Sequence, residues 1–242
     1  MKQVIYSIKE NKPLAPGVYR MVLRGDISPI AAPGQFIDIA LDGLYLRRPI
    51  SVCDWDDEGL TIIYKVVGQG TEKLSRMKEG EALDCLSGLG NGYDLDACPE
   101  KPVLAGGGVG VPPLYGLAKK LIAAGKRPVV CLGFNGASEV FLADEFRALG
   151  CEVRLATVDG SLGAKGFVTD LFDAGAYACA CGPEPMLKAV YRKTAGGQFS
   201  FEARMGCGFG ACMGCTCKTL TGYKRICKDG PVMRREEIAW DD

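Results

Sequence analysis

The chain has 242 residues, with 29 Lys and Arg balanced by 29 Asp and Glu, so its net charge is zero and nothing in it calls for nucleic acid or an anionic membrane. It contains no histidine, which excludes His-based zinc sites, Ser-His-Asp and Cys-His catalysis, and a Rieske cluster. The length suits one or two compact domains plus a small appendage. Twelve cysteines follow an N-terminus that is charged again at Lys9 and lacks the apolar core of a signal peptide, so they read as thiols of a reducing cytoplasm. The uncharged run 102–118 contains glycines and paired prolines, which argue against a membrane span.

The first ninety-odd residues alternate short β-like runs with Pro- and Gly-rich turns. Strands are expected at 4–8, 18–23, 35–40, 60–67 and 81–86, with one short helix at 71–77. This spacing predicts a small antiparallel barrel. Two local features interrupt the pattern. In Leu46-Arg-Arg-Pro-Ile-Ser51, an Arg beside a Pro-fixed backbone suits a phosphate, because its planar fork pairs with two oxygens. In Val67-Gly-Gln-Gly-Thr71, glycines allow close backbone approach to a ligand and Thr71 adds a hydroxyl. Each taken alone also reads as an ordinary turn or a solvated charge.

From Pro102 the pattern changes. Val103-Leu-Ala is a short buried strand, followed by Gly106-Gly-Gly-Val-Gly110 and a helix running to about residue 124. Strand, glycine loop and helix N-terminus together make an anion site from backbone amides, and the prolines at the helix start cost little. Strands at 128–134, 152–157 and 177–181 then alternate with helices at 139–149, 166–172 and 185–193. That succession predicts a parallel sheet with crossover helices, with ligands outside the carboxyl ends of its strands. Asn135, Asp159 and Cys181-Gly-Pro-Glu-Pro-Met186 fall at those ends. Cys181 either lies near a reacting carbon or fills a small buried slot, and the sequence leaves both readings open. The loop 134–139 has no Arg or Lys to meet a 2′-phosphate, which favours NAD(H) over NADP(H).

The last stretch carries the most specific signal. Cys207, Cys212 and Cys215 are spaced C-x4-C-x2-C, and Cys227 follows after eleven residues. This is the cysteine run of a plant-type [2Fe–2S] centre. Glycines at 206, 208, 210 and 214 let the loop wrap a small anionic body with its amides pointing inward. A four-cysteine zinc site is a blander reading, although only Cys212 and Cys215 form a C-x2-C knuckle. A disulfide knot is another. Cys217 is a spare thiol whose spacing from Cys212 does not fit the cluster pattern.

These motifs together resemble the ferredoxin–NADP reductase superfamily. Its flavin motifs are matched by Arg48, Pro49, Ile50 and Ser51 and by Gly68, Gly70 and Thr71. Its nucleotide loop G-G-G-x-G-x-x-P is matched by Gly106, Gly107, Gly108 and Gly110, and its nicotinamide-side loop by Cys181, Gly182 and Pro183. The resemblance implies Arg48 and Thr71 on the FAD pyrophosphate and Ser51 near the reactive flavin nitrogen. It also implies Ile63, Tyr64 and Lys65 as ring or ribose contacts. The chain departs from the superfamily at Ile50, where an aromatic residue usually covers the ring.

End to end, the chain is similar to the electron-transfer subunit of class 1B dihydroorotate dehydrogenase. The run 202–215 and Cys227-Lys-Asp-Gly-Pro231 carry that resemblance most specifically. It implies an FAD-binding β-barrel over 1–98, an NAD(H)-binding α/β domain over 99–198 and a [2Fe–2S] domain over 199–242. It further implies electron flow between NADH, FAD, the cluster and the FMN of a separate catalytic subunit where orotate is formed. The family arrangement is a cytoplasmic heterotetramer with two of each subunit, and no side chain of this one is singled out as catalytic. Three alternatives remain at this point. They are the small FAD/[2Fe–2S] subunit of an NADH-dependent ferredoxin–NADP reductase or sulfide dehydrogenase complex, a stand-alone NADH diaphorase, and a zinc-stabilised binding module without redox chemistry.

Overall fold

A computed structural model describes residues 1–240. Six antiparallel strands close a barrel in the order β1-β2-β5-β4-β3-β6. They are β1 (Lys2–Ala15), β2 (Val18–Arg24), β3 (Phe36–Ile39), β4 (Arg48–Asp56), β5 (Gly59–Lys65) and β6 (Ala82–Leu89), with helix α1 (Gln69–Arg76) between β5 and β6. Alternation places side chains inside: Val4, Tyr6 and Ile8 from β1 meet Leu83 and Cys85 from β6. The sequence reading anticipates five of these strands and omits β4 as a strand, because Arg-Arg-Pro at its start masks the apolar alternation.

The second unit is a seven-stranded sheet in the order β10-β9-β8-β7-β11-β12-β15. Its chain runs β7 (Val103–Gly107), α2 (Pro112–Ala123), β8 (Val129–Phe134), α3 (Ala143–Ala148), β9 (Glu152–Thr157), β10 (Ala164–Lys165), β11 (Tyr177–Cys181), α4 (Glu184–Lys193) and β12 (Gly196–Ser200). After β10 the chain returns to the other side of β7, so the switch point lies between β7 and β11. Strands β7 and β11 are buried on both faces, as parallel strands covered by helices are. The helix expected over 139–149 is shorter, because Leu142 takes φ +63° and breaks the pattern ahead of α3. The helix expected over 166–172 is a single 3₁₀ turn, Val168–Leu171.

The remaining segment is a small excursion from the sheet edge. A hairpin of β13 (Thr216–Thr219) and β14 (Gly222–Arg225) leads into the short helix α5 (Ile226–Asp229). Strand β15 (Val232–Arg234) then pairs antiparallel with β12. One apolar core joins this excursion to the other two units: Cys215, Ile226 and Cys227 pack with Phe199 and Met233 of the sheet and Phe36 and Leu89 of the barrel. Among the described residues, no helix is long and apolar enough to cross a membrane.

Barrel and sheet are fastened through α2, which lies on β4. A Cβ on Gly116 would stand 2.8 Å from the Cys53 carbonyl oxygen, so the helix approaches the strand backbone as only glycine permits. Lys119 pairs with Asp54 at 2.7 Å, and the Lys120 ammonium lies 5.0 Å from the centre of the Trp55 ring. Ala at an exposed helix position normally gains about 1 kcal/mol over Gly. At Gly116 the overpacking term, about 1–3 kcal/mol, outweighs that gain. Gly116→Ala is therefore expected to lower the thermal unfolding midpoint; a raised midpoint in a melting curve would show that the seam is loose.

Candidate functional site

The two flavin-type motifs meet on one face of the barrel. Arg48, Pro49, Ile50 and Ser51 form the start of β4 and pair with Ile39, Asp38, Ile37 and Phe36 of β3. The Arg48 guanidinium crosses to the N-terminal turn of α1, where a Cβ on Gly70 would stand 2.1 Å from its Nε. Gly68, just ahead of the helix, faces open space. Among the described residues Arg48 makes no ion pair. It donates only to the carbonyls of Leu46 and Arg47. A half-buried guanidinium without a carboxylate, set beside a helix N-terminus, is a fitting partner for phosphate oxygens.

Three expected contacts on this side are placed differently. The Thr71 hydroxyl is buried in its own turn, accepting the amides of Val67 at 2.9 Å and Gly68 at 3.3 Å and donating to the Gly68 carbonyl at 3.1 Å. It shapes the loop rather than facing a ligand. Tyr64 points into the barrel, donating to Asn11 Oδ1 at 2.9 Å and stacking on Tyr19. Ile63 is buried in the seam between barrel and sheet. The cause is common to both: β5 is buried along most of both faces, so only Lys65, at its end, is exposed.

The glycine loop and the Cys181 loop also come together, at the switch point of the sheet. A Cβ on Gly110 would stand 2.3 Å from the Cys181 carbonyl oxygen, and one on Gly107 would stand 2.4 Å from Met186 Sδ. Gly106 is closed in by Val111. These glycines permit the two loops to pack, while Gly108, at φ +51°, has open space around it and marks the accessible part of the loop. Gly182 and Pro183 continue from Cys181 into α4. Burial pushes the Cys181 thiol up to about 12, so it stays protonated at neutral pH.

The third cluster of residues is the cysteine loop. Cys207 Sγ accepts the amides of Ala211 at 3.2 Å and Cys212 at 3.4 Å. Cys212 Sγ accepts those of Cys207 and Gly214, each at 3.4 Å, and Cys215 Sγ accepts that of Cys227 at 3.4 Å. Inward amides directed at sulfur are the donor set that thiolates need. Burial raises the Cys207 thiol, yet the amides of Cys212, Phe209 and Ala211 outweigh it and hold the group at about 6. Amide-to-sulfur bonds thus link Cys207 with Cys212 and Cys227 with Cys215. Four cysteines in one amide-lined loop meet the ligand count of a [2Fe–2S] centre. Cys217 lies outside both pairs, half-buried on β13.

The loop is seated against the barrel by a contact the sequence reading missed. Gly208 has φ +75°, and a Cβ there would stand 2.3 Å from Asp38 Oδ2. Asp38 is 1% exposed and its Oδ1 has no hydrogen-bond partner. Burial pushes its carboxyl up to about 7, against the pull of the Arg47 guanidinium. Asp38 pairs with Pro49 across β3 and β4, so one strand touches both the Arg48 motif and the cysteine loop. The only sequence signal was a carboxylate inside the apolar run Phe36-Ile-Asp-Ile39. On the far side, Arg225 donates to the Gly210 carbonyl at 3.0 Å and pairs with Asp229. Phe209 and Met213 are left exposed on the loop surface.

Comparison with known proteins agrees with this geometry. Residues 202–239 match the family described as the iron-sulfur cluster binding domain of dihydroorotate dehydrogenase B. A Geobacillus protein named dihydroorotate dehydrogenase B (NAD(+)), electron transfer subunit, is 42% identical over 255 aligned positions, covering 98% of this chain and 99% of that protein. A Fusobacterium nucleatum protein of the same name is 41% identical over 254 positions, covering 96% of each. Among solved structures, one described as an NADH-dependent reduced ferredoxin-NADP oxidoreductase superposes with TM-score 0.88 at 32% identity, covering 98% of this chain and 90% of its own. A ferredoxin NADP+ reductase from Neisseria gonorrhoeae shares the fold with TM-score 0.68 at 14% identity, covering 80% of this chain and 90% of its own. Barrel, switch-point loops, paired cysteines and near-full-length identity above 40% agree: the chain belongs to the family of electron transfer subunits of dihydroorotate dehydrogenase B.

Proposed function

We propose that this chain carries electrons between NAD(H) and a separate FMN-containing catalytic subunit that interconverts dihydroorotate and orotate in pyrimidine biosynthesis. The observation that carries the reading is the seating of two amide-lined thiol pairs on the strand beside the Arg48 motif. In this reading segment 1–98 holds FAD, 99–198 takes NAD(H), and 199–242 holds the [2Fe–2S] cluster. The four ligands are Cys207, Cys212, Cys215 and Cys227. When bound, the flavin supplies hydride exchange and the cluster supplies one-electron transfer.

The protein's own residues bind and orient. Arg48 neutralises phosphate charge, with Gly68 and Gly70 letting the α1 amides approach. Pro49, Ile50 and Ser51 set the edge of the same face, and Lys65 stands free at the end of β5. Gly108 leaves the helix α2 terminus open to a dinucleotide, and the protonated Cys181 thiol adds no charge beside it. No acid–base side chain is required, in keeping with a chain that lacks histidine. Phe209 and Met213 form an exposed apolar cap where the partner docks, and two of each subunit assemble in the cytoplasm. The similarity to the NADH-dependent ferredoxin-NADP oxidoreductase favours one rival, a small subunit of such a complex.

The discriminating experiment is reconstitution. The isolated chain should reduce artificial dyes with NADH but leave dihydroorotate unchanged. Addition of the catalytic subunit should give NAD-dependent orotate formation. Co-purification with a ferredoxin–NADP reductase large subunit would instead select the rival. Arg48→Ala should weaken FAD retention by about 1.5–3 kcal/mol, on the order of tenfold to a hundredfold in Kd. Equilibrium dialysis showing unchanged FAD affinity would remove Arg48 from the site. Gly208→Ala combines a left-handed backbone cost of about 1–2 kcal/mol with a clash on a carboxyl that has no room to turn. It should lower iron and acid-labile sulfide content severalfold while FAD stays bound. Full metal content would show that the Gly208–Asp38 contact does not seat the loop.

A further inference from the structure

Away from the three sites, two thiols that none of them uses lie in contact. Cys98 Sγ and Cys179 Sγ are 3.6 Å apart and both are buried, although 81 residues separate them in sequence. Cys98 closes the turn that leads from the barrel to the sheet, and Cys179 is in the middle of β11, two residues before Cys181. This linker is already tied to the sheet around the pair. The Tyr93 hydroxyl donates to the Ala180 carbonyl at 3.0 Å. The Asp94 amide donates to Gln198 Oε1 at 2.7 Å, and Gln198 Nε2 donates back to the Asp94 carbonyl at 2.8 Å and reaches Cys98 Sγ at 3.6 Å. Lys126 donates to the carbonyls of Leu95 and Cys98, which brings its ammonium beside the thiol.

The geometry points to Cys98 and Cys179 as a disulfide-forming pair that latches the interdomain linker onto the strand leading to the Cys181 loop. The sulfurs need to close by about 1.5 Å to reach bonding distance, with neighbouring backbone already docked. The pair is also chemically unequal. The contact with Cys179 lowers the Cys98 thiol, against its burial, with Lys126 assisting, and the same contact together with burial raises Cys179. Cys98 is the nearer of the two to the surface, so it is the sulfur a small reagent meets first. The turn carrying Cys98 is at the surface, with Asp96, Ala97 and Pro99 exposed, so a small oxidant has one layer of structure to pass.

A two-electron oxidant of the azo class, such as diamide, completes the reaction. Cys98 sulfur adds to one nitrogen of the N=N bond, and the other nitrogen takes a proton from solvent. Cys179 sulfur then attacks Cys98 sulfur; the S–S bond forms, the S–N bond breaks, and the Cys179 proton passes to the departing nitrogen. The two thiols lose two electrons and two protons, and the azo compound leaves as the hydrazine.

The test uses the holoprotein, treated anaerobically with diamide, digested without reductant and mapped by fragment-ion mass spectrometry. The expected product is a Cys98–Cys179 cross-linked peptide two hydrogens lighter than the sum of its parts, lost on treatment with dithiothreitol. The unfolding midpoint of the oxidised protein should rise, and Cys98→Ser should show neither cross-link nor rise. Cys85 and Cys181 lie in nearby peptides, so fragment ions must place the bond on Cys98 and Cys179 themselves. Recovery of both as free thiols, or a bond mapped to Cys85 or Cys181 instead, overturns the proposal. Because that mapping is done on the unmodified sequence, it stands whether or not the Ser variant folds.

Discussion

The contact of Gly208 with the buried carboxyl of Asp38 fixes where the thiolate loop lies on the barrel. Only a residue without a Cβ and tolerant of positive φ fits there. Asp38 also pairs with Pro49 in the ladder between β3 and the strand that starts with Arg48. A loop shifted by one residue would lose this contact and carry its thiols away from the Arg48 face of the barrel. The unpartnered Oδ1 of Asp38 is a polar atom buried at cost, and such costs collect at sites held for function rather than for stability.

The same device recurs at the other joints. Gly70 admits the Arg48 side chain, Gly110 admits the Cys181 carbonyl, and Gly116 admits the β4 backbone. Each joins two elements that a side chain would hold apart. Electron transfer between separate carriers depends on short, fixed separations, and close-packed joints of this kind fix them. The shared apolar cores do the rest: one runs from Val18, Cys53 and Ile63 of the barrel into Leu104 of the sheet and Leu114 of α2, and another ties Cys215 and Cys227 to both units. An extensive apolar seam favours one arrangement of the domains over relative motion.

Much of this was legible in the sequence because local rules carry it. Alternation exposes β1, β2 and β6, and continuous apolar runs expose β5, β7, β8 and β11. Cysteine spacing alone singles out the thiols that the structure pairs. What was hidden depends on long-range contact. Strand β4 begins with charged and Pro residues whose partners lie in β3. The roles of Ile63 and Tyr64 turn on which way a strand faces, which periodicity cannot give when both faces are buried, and that of Thr71 on hydrogen bonds within its own turn. Asp38 is a carboxylate inside an apolar strand, and its contact lies in a loop more than a hundred residues later. Strand β15 was invisible for the same reason: three residues make a strand only because β12 offers an edge.

The most direct measurement is metal and sulfide analysis of protein prepared without oxygen, with an electron paramagnetic resonance spectrum after reduction. The account predicts two irons, two acid-labile sulfides and one FAD per chain, and a paramagnetic signal of a reduced binuclear cluster. A colourless chain with zinc in place of iron, and no labile sulfide, would contradict it.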